Sequence, residues 1–79
     1  MNHYLATFHT HLAALKTHRS LQRQGVEARM SPVPRKISSS CGTCVQYYAE
    51  DMHKQCMDED VEAVYRLDGD TIEMLMELE

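Results

Sequence analysis

The sequence predicts one small α+β domain, an antiparallel sheet with helices packed on one face. Three observations lead there. The chain has 79 residues, enough for a single domain spanning residues 1–79. Its hydrophobic fraction of 43% and charged fraction of 25% are those of an ordinary folded protein. Its apolar residues also change period along the chain, from two to about 3.6 and back.

Residues 3–8 alternate, with Tyr4, Ala6 and Phe8 on one side and His3, Leu5 and Thr7 on the other. This predicts strand one. Thr10 is a suitable cap for a helix that runs to about Gln24 and stops at Gly25. A helical period places His11, Ala14, Leu15, His18 and Leu21 on one face, with Lys16, Arg19 and Arg23 opposite. Residues 26–30 alternate again as strand two. Pro32 and Pro34 then impose an extended, non-helical path. Residues 43–48 predict strand three, with Val45 and Tyr47 inward and Cys44, Gln46 and Tyr48 outward.

Glu50 and Asp51 suit the first turn of a second helix, since carboxylates complement its positive end. Met52 and Cys56 would be its buried pair. Val61, Ala63, Tyr65 and Leu67 alternate as strand four. Asp68-Gly69 reads as a turn. Asp70 and Glu73 have the spacing of a capping box for a short terminal helix carrying Ile72, Leu75 and Met76, a candidate dimer surface. The order β-α-β-β-α-β with that helix appended predicts a ferredoxin-like two-layer sandwich. In that arrangement strands one and three pair antiparallel at the centre, which would set His9 and Thr10 beside Cys41.

The net charge of −4 and isoelectric point near 5.7 argue against a nucleic-acid binder. Charge is segregated. Of the twelve acids, all but Glu27 fall at or beyond residue 50, while Lys16, Arg19, Arg23, Arg29, Arg35 and Lys36 precede the cysteines. No apolar run approaches the ~18 residues of a membrane span, and the first residues carry no basic start of a secretory signal. Three cysteines is an odd number, which disfavours a disulfide framework and makes the cytoplasm, where thiols stay reduced, the expected setting.

The chemistry concentrates in Ile37-Ser38-Ser39-Ser40-Cys41-Gly42-Thr43-Cys44. A thiol acts as its thiolate, so its surroundings must favour the anion. Arg35 and Lys36 lie just upstream. The small residues Ser38, Ser39, Ser40 and Gly42 let backbone N–H groups gather round an anion. The positive end of the first helix would point at the same place. Cys41 and Cys44 form a C-x-x-C, in which one thiol attacks and the other resolves. Cys56 reads as a buried, inert thiol. A Cys2His2 metal set from Cys41, Cys44, His9 and His11 is the alternative, though its spacing matches no common zinc pattern. No cofactor is otherwise implied. His18 reads as a half-buried, hydrogen-bonded side chain, and His3 and His53 as surface residues.

The stretch Val33-Pro34-Arg35-Lys36-Ile37-Ser38-Ser39-Ser40-Cys41-Gly42 resembles a family of small bacterial domains named for selenium and sulfur carriers. Thr7-Phe8-His9-Thr10 and Ala14-Leu15-Lys16 resemble its first strand end and helix. The likeness runs from about Tyr4 to Arg66. It implies a stoichiometric carrier rather than a catalyst. Cys41 would hold a persulfide or perselenide taken from a donor such as a cysteine desulfurase and passed to an acceptor. Arg35, Lys36, Ser39, Ser40 and Gly42 would stabilise the anion. Cys44 departs from the family, where many members carry a small or aliphatic residue. Two readings stand beside the carrier: a thiol–disulfide module using Cys41 and Cys44, and a metal-binding or protein-interaction domain.

Overall fold

A computed structural model describes residues 1–78. Its elements are β1 (Asn2–Phe8), α1 (His11–Arg23), β2 (Glu27–Pro32), β3 (Thr43–Ala49), a single 3-10 turn at Lys54–Cys56, β4 (Val61–Asp68) and β5 (Thr71–Glu77). The strands form one antiparallel sheet in the order β2-β3-β1-β4-β5. The expected pairing of β1 with β3 is present, from Asn2 opposite Ala49 to Thr7 opposite Cys44.

Local sequence accounts for α1. The Thr10 hydroxyl accepts the Ala13 N–H at 3.1 Å and caps the first turn. At the other end the Gly25 N–H bonds the Gln22 carbonyl and the Val26 N–H bonds that of Leu21, both at 3.0 Å. This is a Schellman closure, and Gly25 supplies the left-handed residue at φ 77. The chain therefore leaves the helix directly into β2. The buried face is Ala13, Ala14, Thr17 and Leu21, so His11 and Leu15 stand further out than their spacing predicts. His18 is half-buried and ties α1 to β2 through the Ala28 carbonyl, 3.1 Å away.

The two-helix sandwich is not what forms. The structure is a five-stranded sheet with one helix. Both β3 and β4 run antiparallel to β1, so they run parallel to each other, and residues 50–60 must return the length of β3. Seven strand residues cover about 23 Å, whereas residues 50–60 wound as a helix would cover only about 16 Å. The crossover must be largely extended. Side chains also hold it open locally. Asp51 Oδ1 accepts the His53 N–H and Asp58 Oδ2 that of Asp60, bonds that compete with helix. His53 takes φ 50 and is half-buried rather than exposed. Cys56 is buried as expected, but in the 3-10 turn.

The terminal helix is likewise replaced by a strand. Asp68 pairs with Thr71, leaving Gly69 and Asp70 as a two-residue hairpin loop with Gly69 at φ 60. Glu73 then lies opposite Arg66 and meets it at 2.8 Å, so it has no capping role. Ile72, Leu75 and Met76 form no stripe. Ile72 packs toward one face of the sheet, Met76 toward the other, and Leu75 is exposed.

The sheet buries side chains on both faces. Under α1 lie Tyr4, Ala6, Phe8, Val45, Tyr47, Val61 and Val64, joined by Leu21 and Cys56. On the opposite face Leu5, Cys44, Ala63 and Tyr65 pack round Ile37, which arrives from the loop joining β2 to β3. A shift in register at Thr7 and Phe8 sends Val61 to the helix side while Ala63 and Tyr65 face the loop, which breaks the alternation predicted for β4.

Candidate functional site

The loop of residues 33–42 is closed at its neck, where the Val33 N–H bonds the Gly42 carbonyl at 3.1 Å. Gly42 takes φ 75, a conformation that L side chains rarely adopt. The Ile37 N–H bonds the Pro34 carbonyl at 3.0 Å, closing a turn with Arg35 and Lys36 at its tip. Both basic residues are exposed there, and among the described residues neither makes an ion pair. Ile37 enters the core and is 7% exposed. This is a compact surface loop held by its own inward side chain.

The serine run that follows is fastened to β4. Glu62 Oε1 accepts the Ser40 N–H at 3.0 Å and the Ser39 hydroxyl at 3.2 Å, and Oε2 accepts the Ser40 hydroxyl at 2.6 Å. The His9 ring stands at the edge of this group, its Nδ1 3.6 Å from Glu62 Oε2 and 3.5 Å from Ser40 Oγ. The donors expected to gather round a sulfur anion thus hold a carboxylate of the protein itself. Partial burial pushes the Glu62 carboxyl up. The bonds from Ser40 and Ser39, with His9 nearby, outweigh it and hold the group below its ordinary value. In the sequence Glu62 is only one of the eleven acids at or beyond residue 50. A signal was present: it is the one charge in the apolar run Val61-Glu62-Ala63-Val64-Tyr65.

Cys41 sits between these fastenings, after Ser40 and before Gly42. It is half-buried, packs against the cluster under α1, and places its thiol 3.4 Å from the Thr43 carbonyl, to which it donates. Cys44 is fully buried and belongs to the cluster on the other face, under Ile37. Its thiol lies 3.2 Å from Ser31 Oγ and 3.7 Å from the Pro32 carbonyl. Burial pushes the Cys44 thiol up from its ordinary 9.0, the Ser31 hydroxyl pulls the other way, and the nearby Cys41 thiol adds to the rise. The C-x-x-C spacing has therefore placed the two sulfurs in different packing clusters. The odd and even positions of a strand face opposite ways, so three residues of separation at a strand start need not bring side chains together.

His9 is brought to the Cys41 loop through Ser40. Thr10 is close in sequence, but its hydroxyl is used in capping α1. His11 is exposed on the helix. Among the described residues no group of three or more His, Cys, Asp and Glu side chains is gathered as a metal would require. No helix among them is long and apolar enough to cross a membrane.

The fold and this loop define a class: a small α+β domain that presents a single half-exposed thiol on a fastened loop. Residues 3–62 match the family described as "Putative Se/S carrier protein-like", and the chain belongs to that family. It is also similar to the Escherichia coli (strain K12) protein described as "Uncharacterized protein YtiA", with 33% identity over 45 residues, 57% of this chain. The chain spans about half the length of that curated relative, 53% of it. No solved structure matches.

Proposed function

We propose that the protein is a sulfur or selenium carrier whose cargo is held on Cys41. The observation that carries this reading is that Cys41 alone of the three cysteines keeps solvent access, Cys44 and Cys56 being buried. Membership of the carrier-like family supports it. A donor protein bearing a persulfide, such as a cysteine desulfurase, would present its outer sulfur to the loop. The Cys41 thiolate attacks that sulfur. A new S–S bond forms on Cys41, the donor's S–S bond breaks, and the donor cysteine leaves as its thiolate. Attack by an acceptor thiolate on the outer sulfur of Cys41 reverses the sequence. No external oxidant or reductant is needed. Arg35 and Lys36, exposed at the turn, suit the approach of an anionic sulfur or an acidic partner. The protein is consumed and regenerated as a carrier in the cytoplasm and catalyses no reaction of its own.

The burial of Cys44 in a different cluster favours this over a Cys41–Cys44 disulfide cycle. The test is incubation with cysteine and a cysteine desulfurase, followed by intact-mass analysis. Wild type and Cys44→Ser are expected to gain one sulfur atom that a reductant removes, and Cys41→Ser to gain none. An addition that survives Cys41→Ser would sink the assignment.

A further inference from the structure

We propose that Glu62 is a positioning residue for Cys41: its carboxylate, with His9 at its edge, latches residues 39–40 to β4 and so holds the sulfur half-buried until the loop is released. This rests on reading Cys41 as the working sulfur, but not on any particular cargo. The argument is geometric. Three donors from two successive residues converge on one carboxylate, at 2.6, 3.0 and 3.2 Å. Cys41 is the next residue in the chain. On its other side the Val33–Gly42 bond fixes the neck. The sulfur is therefore confined from both directions, and of the two fastenings only the latch is made by side chains.

Hydrogen bonds to an ionised acceptor are stronger than those between neutral groups, and a bond between backbone and carboxylate sets the loop's register as well as its closeness. The contact with His9 is weaker. It is a 3.6 Å approach of a 44% exposed ring, and such surface pairs contribute little. His9 is itself placed by its N–H, which bonds the Asp60 carbonyl at 3.0 Å, two residues before Glu62. His9, which follows β1, is the titratable group that approaches the Glu62 carboxylate, while Tyr65 of β4 and Glu77 of β5 line the same surface cavity as Glu62. Only His9 among them can balance its charge. The latched loop thus keeps the sulfur partly covered, its thiol turned to the Thr43 carbonyl.

The experiment follows alkylation of Cys41 by iodoacetamide against pH in the full chain, the modified residue being identified by peptide mass. Glu62→Gln is expected to react several-fold faster at neutral pH, because the loop no longer covers the sulfur. Ser40→Ala, which keeps the N–H bond, should change in the same direction by less, and it serves should Glu62→Gln fold poorly. Leu21→Ala, in the last turn of α1 and so at the opposite end of the helix from His9, should destabilise the protein while leaving the alkylation profile where it was. Rates and profiles in Glu62→Gln and Ser40→Ala equal to wild type would overturn the proposal, as would an equal change in Leu21→Ala. Sulfur loading by a desulfurase is scored separately. If the alkylation response appears without loading, the latch stands and the carrier reading falls.

Discussion

Phe8 and Ile37 are both buried, yet they are held in different ways. Phe8 lies in a strand at the centre of the sheet, fully enclosed beneath α1, with Tyr4, Ala6, Val45 and Leu21 in the same cluster. Ile37 comes from a loop and reaches the opposite face with only the half-buried Val33 of that loop beside it, meeting Leu5, Cys44, Ala63 and Tyr65. One face is covered by a helix that buries Ala13, Ala14, Thr17 and Leu21 against it. The other is covered in part by Ile37 and Val33, with three polar bonds at Glu62 beside them. Covers of the second kind open locally at lower cost than the core, because few apolar contacts are lost. Cys41 is carried by that loop, so although its side chain packs half-buried against the cluster under α1, its backbone moves with the cover that opens more cheaply.

Three measurements would break or sharpen this contrast. The largest effect is expected at Phe8. Phe8→Ala should cost about 3–5 kcal/mol, much of the stability a domain this small can hold, as read from urea unfolding. Ile37→Ala should cost about 2 kcal/mol and should also speed alkylation of Cys41 several-fold under conditions where the chain stays folded. A cost at Ile37 equal to that at Phe8 would make the loop part of the core proper. Unchanged Cys41 reactivity would show that Ile37 does not anchor the loop.

The smallest effect is a dependence on acid. Glu62 is held below its ordinary 4.5 in the fold, so the unfolded chain takes up the proton first as pH falls. The contribution of the latch is complete above that ordinary value and is lost as pH drops through the lower, folded one. The gap in thermal midpoint between wild type and Glu62→Gln should therefore be constant from neutral pH down to about 4.5 and close below it. A gap that persists at still lower pH would mean that charge on Glu62 is not what Ser39 and Ser40 hold.

Some of the site could be read from the chain and some could not. The alternation of Tyr4, Ala6 and Phe8, the Thr10 cap and the Gly25 stop are local signals, and each formed as written. Cys41 stood out because small residues and a proline-marked loop surround it. The serines were legible as anion-binding donors, but their anion was not, because Glu62 lies 22 residues from Ser40. The outward position given to Cys44 was sound as to direction. Its burial came from Ile37, whose landing place depends on where the loop folds back.

What the sequence determined by itself were the features set within a few residues: the periods of β1, β2 and β3, the ends of α1, the glycine turns and the loop that bears Cys41. The tertiary structure decided the rest. The length of the crossover between two parallel strands excluded a second helix there, and pairing with β4 drew residues 71–77 into a strand despite their helical spacing. The same closure of the sheet brought Glu62 against Ser39 and Ser40. Such contacts depend on distances between segments far apart in the chain, and no local propensity encodes those distances.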